Sequence, residues 1–238
     1  MNAALPVVLI LTTMLDFGDY RAERFSSRDG GDIVFHLFGH ASVAVEYDGH
    51  TVYIDPVGAE ADYRKLPKAD VILVTHAHSD HFDPKAVEAL RQPSTVVIAN
   101  HIVAAASRGA VEMLNGDQLS PAEWLKVEAV EAYNMVRTQY HPRGRDNGYL
   151  LTIGGERILV AGDTEATPEL LAQRNIDYLF LPVNLPYTMS VDEAVRAALT
   201  ISPRVLFPYH TLGTDRSEIE KMPLSLPEIE TVVWKDEK

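Results

Sequence analysis

Residues 75–81 read Thr-His-Ala-His-Ser-Asp-His. Three imidazoles and one carboxylate fall between His76 and His81. The stretch follows Val71-Ile72-Leu73-Val74, an apolar run with the length of a buried strand. It is therefore the loop at a strand's end, where α/β sheets commonly place ligands and function. Neutral imidazole is the commonest protein ligand for zinc-like ions, and aspartate adds a harder oxygen donor. No ordinary core or surface role needs this density of ligands, so the pattern reads as a metal site.

Three further candidates share the same setting. His141 sits in Tyr-His-Pro-Arg-Gly, a loop by its Pro142 and Gly144. Asp163 follows the strand read at Ile158–Val160, and His210 follows the strand read at Val205–Leu206. Each is expected at or near the C-terminal end of a strand, as the cluster is. If these strands lie side by side, all seven residues converge on one edge of the fold. Seven ligands are too many for one tetrahedral ion and suit two.

Around this frame the pattern is α/β. Ile33–Leu37, Ser42–Tyr47 and Thr51–Ile54 read as a meander, with Asp48-Gly49 a strong hairpin signal in the second gap. Asp83–Arg91 reads as a helix with Asp83 as N-cap and Pro84 at its first position. Strand Thr95–Ala99 and a helix over Ile102–Arg108 follow. Strands are then expected at Val127–Val130, Tyr149–Ile153, Arg157–Ala161, Tyr178–Val183 and Val205–Tyr209. Helices are expected at Pro168–Arg174 and Val191–Leu199. Residues 32–238 are expected to form a single domain with more than one sheet. Residues 1–31 read as a lead-in. Its apolar run Ala3–Leu15 is thirteen residues long, short of the ~20 needed to span a bilayer. That run is either a leader, which would mean export, or an element docked on a cytoplasmic protein.

The net charge is −13, from 34 acidic and 21 basic residues. Phosphate backbones call for clustered Lys and Arg, so nucleic acid is disfavoured and a small molecule is the expected partner. No segment suits a stable membrane span. The chain has no cysteine, which excludes disulfides, thiolate metal sites and a cysteine nucleophile. Oligomeric state is left open.

In the order His-Ala-His-Ser-Asp-His at 76–81, His141, Asp163 and His210, the chain resembles the metallo-β-lactamase superfamily. Gly39-His40-Ala41-Ser42, Ile54-Asp55-Pro56, Gly162-Asp163-Thr164 and Tyr187-Thr188-Met189 resemble one branch of it. That branch includes ascorbate-6-phosphate lactonase and N-acylphosphatidylethanolamine phospholipase D. The resemblance implies a four-layer αββα sandwich of two mixed sheets flanked by helices. It implies two divalent ions, zinc first, with manganese or iron as alternatives. His76, His78 and His141 would hold one ion, Asp80, His81 and His210 the other, and Asp163 would bridge them. The implied chemistry is hydrolysis of an ester-like bond, a lactone or phosphoester, by a hydroxide held between the ions, which Asp80 would orient and whose proton it could take. The rival readings are a β-lactamase, a nuclease, and a metal-binding or sensing protein without turnover.

Other residues are weaker candidates. Asp55 is a candidate acceptor for a ligand imidazole, which metal-bound histidine usually requires. His40, Tyr133, Asn134 and Tyr187 are candidates to contact substrate, and Arg143 to hold an anionic group. Arg145 also flanks His141, with a solvated surface expected for at least one of the two arginines. His36, His50 and His101 fall outside the pattern and read as structural or surface residues.

Overall fold

The computed structural model describes residues 15–234, so all but the last residue of Ala3–Leu15 lies outside the described residues. Two seven-stranded sheets face one another. In the first, β1 (Arg21–Ser26), β2 (Asp32–Gly39), β3 (Ser42–Tyr47) and β4 (His50–Ile54) run antiparallel. β5 (Val71–Val74), β6 (Val96–Ala99) and β7 (Val111–Glu112) then add in parallel. The second sheet repeats this plan. β8 (Gln118–Ala122), β9 (Leu125–Ala132), β10 (Asp146–Ile153) and β11 (Glu156–Val160) are antiparallel, and β12 (Tyr178–Pro182), β13 (Val205–Tyr209) and β14 (Glu230–Thr231) are parallel.

The core between the sheets is apolar and largely aromatic, with Phe35, Tyr178, Phe180, Phe207 and Trp234 in one cluster. Helices α1 (Pro84–Leu90) and α2 (His101–Ala106) bury Val87, Leu90 and Val103 against Tyr53, Ile72 and Val97 on the outer face of the first sheet. Helices α3 (Pro168–Leu171) and α4 (Val191–Ile201) bury Leu170, Ala194, Ala197 and Ile201 against Leu159, Leu179 and Leu206 of the second. This is the expected four-layer sandwich. Local chemistry explains its joints. The two-residue turn after β3 has φ of 48° at Asp48 and 78° at Gly49, the left-handed pair a tight hairpin requires. Asp83 caps α1 by accepting from Lys85 N at 2.9 Å. Ser190 and Glu193 cap α4 reciprocally.

Four strands lie outside the expected set, namely β1, β8 and the two-residue β7 and β14. β1 falls inside the stretch read as a lead-in, yet it pairs with β2 from Arg21↔Leu37 to Ser26↔Asp32. It is a half-solvated edge strand, and Arg21, Glu23 and Arg24 mask its alternation. β8 is hidden by Pro121 and by a register shift against β9. Helix α2 begins at His101 and ends at Ala106, two residues short of Arg108, with Asn100 accepting from Val103 N at 3.0 Å as its cap. No helix among the described residues is long and apolar enough to cross a membrane.

Candidate metal centre

The parallel strands of both sheets point their C-terminal ends toward one edge. Asp55 follows β4, Thr75–His81 follow β5, Asp163 follows β11, Asn184 follows β12 and His210 follows β13. His40 occupies the turn between β2 and β3. The exception is His141, which lies in the long loop between β9 and β10 and reaches the same edge because those strands are antiparallel. His40, Asp55 and His210 have φ of 48°, 46° and 51°, in a region non-glycine residues rarely adopt. Such strain costs about 1–3 kcal/mol per residue and persists where the surroundings over-determine it. Here His210 N donates to His40 O at 2.9 Å, stitching the first sheet to the second beneath the site. Gly162 at φ 67° turns the chain into Asp163, and a Cβ there would lie 2.7 Å from Asn147 O.

The seven residues read as ligands come together. His76, His78 and His141 form one group, His40, Asp80, His81 and His210 a second, and His76, His81 and Asp163 a third, with the donor atoms in each group within 4.8 Å of one another. Asp163 is common ground. Its Oδ2 stands 3.3 Å from His141 Nε2 and 3.3 Å from His210 Nε2, and its Oδ1 stands 3.4 Å from His81 Nε2. His76 Nε2 faces His78 Nδ1 at 3.1 Å. The donors fit a cation. His81 Nε2, His210 Nε2 and Asp163 Oδ1 are buried with no hydrogen-bond partner, and an unsatisfied buried polar atom costs roughly 1–3 kcal/mol. Imidazole with carboxylate suits zinc, manganese or iron.

The electrostatics agree. Burial, reinforced by the neighbouring His81, pushes His76 well below the ordinary imidazole value; burial and neighbouring imidazoles also lower His78 and His210. These rings are therefore neutral donors at neutral pH. Burial also opposes charge on His81, but Asp163 and Asp55 outweigh it and hold its pKa well above the ordinary value. Burial would raise Asp163, yet His210, His81 and His76 keep it well below the carboxylate range. The centre thus presents an ionised carboxylate and favours positive charge beside it.

Behind the donors sits a ring of partners that fixes the imidazoles. His81 Nδ1 lies 2.7 Å from Asp55 Oδ2, His141 Nδ1 lies 3.2 Å from Asp146 Oδ2, and His76 Nδ1 lies 3.0 Å from Thr75 Oγ1. The side-chain amide of Asn184 lies 3.3 Å from His210 Nδ1. Asp146 and Asn184 escape the sequence reading. Their signal is positional, since each stands at a strand terminus on the ligand edge. Asp146 is itself held by Arg145 at 2.7 Å and by the Asn100 amide at 3.3 Å. Asp146→Ala is expected to weaken metal binding about 10- to 100-fold, read by competition with a chromogenic chelator. Unchanged affinity would mean His141 needs no such anchor.

The centre opens into a cavity of about 700 Å³. Of the residues read as substrate contacts, His40 and Tyr187 line it and three do not. Tyr133 is buried and donates to Glu169 at 2.9 Å. Asn134 is buried and donates to Tyr187 O at 2.7 Å, which supports the cavity wall from behind. Arg143 points outward, paired with Glu131 at 3.1 Å and with Glu169 at 2.5 Å. The local acidic residues capture it, so it is not available to an anionic group in the cavity. Residues missed in sequence line the rest, among them Val57, Glu60, Tyr140 and Leu212. His36 pairs with Glu46 at 3.0 Å and His50 stacks on Trp124 at 4.5 Å, both as structural residues.

Known proteins are similar throughout this region. The family described as Beta-lactamase superfamily domain matches residues 35–210. A UPF0173 metal-dependent hydrolase of Ligilactobacillus salivarius is 31% identical over 72% of this chain and 82% of its own length. One from Thermus thermophilus is 32% identical over 72% of this chain and 80% of its own length. The crystal structure of a Parabacteroides distasonis protein, assigned as a metal-dependent hydrolase, superposes with a TM-score of 0.87 at 39% identity, over 92% of this chain and 100% of that one. Igni18, a metallo hydrolase from Ignicoccus hospitalis, shares the fold at a TM-score of 0.71 and 23% identity, over 87% of this chain and 96% of that one. The strand-end constellation and these relatives agree, and the chain belongs to the metallo-β-lactamase superfamily, among its metal-dependent hydrolases.

Proposed function

We propose that the chain hydrolyses an ester-like bond in a small molecule, a lactone or a phosphoester, at a centre for two divalent ions. The observation that carries this reading is Asp163, whose two oxygens lie within 3.4 Å of donors from both histidine groups. His76, His78 and His141 would hold one ion, Asp80, His81 and His210 the other, with Asp163 between. When bound, the ions would supply Lewis-acid charge and water acidified enough to attack at neutral pH.

The chain's own residues do the rest. Asp55, Asp146, Thr75 and Asn184 fix the imidazoles, so the donors need little reorganisation. His40 Nε2 lies 3.1 Å from Asp80 Oδ2 and His210 Nε2 lies 3.5 Å from it. Burial would raise Asp80, but these two imidazoles and His81 hold it far below the carboxylate range. Asp80 is thus ionised, and it acts by orienting the attacking water through its remaining oxygen. Asp80→Asn is expected to lower kcat about 10²-fold. Wild-type turnover by that variant at full metal occupancy would remove the role.

The reading is tested with metal-loaded protein on a phosphodiester, a panel of lactones and a β-lactam, each with a chelated control. Chelator-sensitive hydrolysis of a lactone or the phosphodiester is expected. Protein that binds two ions per chain and cleaves nothing in the panel would overturn it.

A further inference from the structure

We propose that the cavity takes an uncharged carboxylic ester or lactone carrying an apolar group, and that it selects against substrates with an additional anionic group. This rests on the metal-dependent hydrolase reading and goes further by choosing the substrate class. The cavity volume, about 700 Å³, is that of a small-molecule site. Its floor is the ligand edge, and its walls are Val57, Ala59, Tyr140, Tyr187 and Leu212.

These five wall residues are apolar or aromatic. Tyr140 and Tyr187 meet edge-to-face at 4.9 Å and form an aromatic step. Tyr187 is 46% exposed and Leu212 67% exposed. Met135, Val136 and Leu185 are also exposed, on the same loops as Tyr140 and Tyr187. Together these make five of the ten large apolar side chains exposed among the described residues, gathered on three loops that carry or brace the site. Exposed apolar side chains concentrated on the loops around a cavity favour an apolar ligand there.

Charge points the same way. The cavity lining contains no Lys or Arg, and it contains Glu60, which closes over Gly39. The arginines of the neighbouring loop are committed elsewhere. Arg137 pairs with Glu165 at 3.0 Å, Arg143 with Glu131 and Glu169, and Arg145 with Asp146. A phosphate or carboxylate beyond the scissile group would find no fork of N–H donors and would meet a like charge. A neutral acyl chain or ring would bury apolar area against the tyrosines and Leu212.

The reaction needs no co-reactant. The water oxygen bonds the acyl carbon, the acyl–oxygen bond breaks, and the leaving oxygen takes a proton from that water. A lactone opens to a hydroxy acid.

The experiment compares γ-butyrolactone, γ-octalactone, a γ-lactone with a terminal carboxylate, and bis-p-nitrophenyl phosphate, all with metal-loaded protein. Each methylene buried contributes at most ~0.8 kcal/mol, roughly fourfold. We therefore expect kcat/KM at least about 10-fold higher for γ-octalactone than for γ-butyrolactone. The chain-length dependence should flatten in Tyr187→Ala and Leu212→Ala. Glu60→Gln should narrow the gap between the carboxylate-bearing and neutral lactones. A readout free of turnover is binding of 2-octanone, a neutral ligand of similar chain, to chelated protein by saturation-transfer NMR. It is expected with the wild type and lost in the double variant Tyr187→Ala/Leu212→Ala. Preference for the phosphodiester or the carboxylate-bearing lactone, or no binding of 2-octanone, would overturn the substrate class and leave the hydrolase reading standing. Absence of chelator-sensitive cleavage of every probe at full metal content would overturn both.

Discussion

Asp163→Ala is expected to strip the purified chain of metal and to lower hydrolysis roughly 10⁴-fold, the size of a loss of about 5–6 kcal/mol of transition-state stabilisation. The reason is position. Asp163 is 2% exposed and sits between the two histidine groups, 3.3 Å from His141 and His210 and 3.4 Å from His81. Without it, five imidazoles face one another and the half-exposed Asp80 is the one carboxylate left among the donor groups to meet a bound dication. Metal analysis after gel filtration reads the first effect, and initial rates with excess metal read the second. A third readout separates loss of metal from loss of fold. An ion at 100 times its Kd adds about 2.7 kcal/mol to the folded state, visible as a rise in Tm. Wild type should show that rise and Asp163→Ala should not, while both keep the same circular dichroism. Two ions per chain with turnover within tenfold of wild type would end the bridging role.

The contrast between Asp163 and its supporting residues shows where sequence reading stops. Chelating residue types are rare at this density, and a buried strand such as β5 announces its own end, so His76, His78, Asp80 and His81 are legible from local pattern. Asp163 and His210 follow from the same logic at β11 and β13. Asp146 and Asn184 do not, because an acid or amide at a strand terminus is usually a turn residue. Only the packing of β10 beside the His141 loop, and of β12 beside β13, gives them imidazoles to hold. Arg143 fails for the converse reason. Proximity in sequence to His141 suggests a role at the site, but Glu131 and Glu169 pair with it and take its charge. β1 is invisible because an edge strand need not be apolar. The cavity wall comes from four separate loops, and no window of sequence joins Val57 to Leu212.

Asp55→Ala is expected to cost about 3–5 kcal/mol of stability, since it breaks a buried charged pair and leaves the partner uncompensated. That is a large share of the 5–15 kcal/mol by which a domain is usually stable. Asp55 is fully buried, and both oxygens are engaged. Oδ1 accepts from Thr75 N at 2.7 Å, and Oδ2 accepts from Thr75 Oγ1 at 2.7 Å and lies 2.7 Å from His81 Nδ1. One carboxylate therefore joins the end of β4 to the first and last residues of the ligand loop. A competing account is that Asp55 is merely a turn residue, tolerated at φ 46° because aspartate accepts that conformation. Asp55→Gly separates the two. Glycine relieves the backbone strain but removes the carboxylate. If the turn is what matters, Asp55→Gly will equal or exceed wild type in urea unfolding. If the carboxylate matters, Asp55→Gly will lose about as much as Asp55→Ala, and metal affinity will fall about 10- to 100-fold in both. We expect the second result. It should be clearest in the metal-free protein, where His81 has Asp55 and Asp163 as its counter-charges.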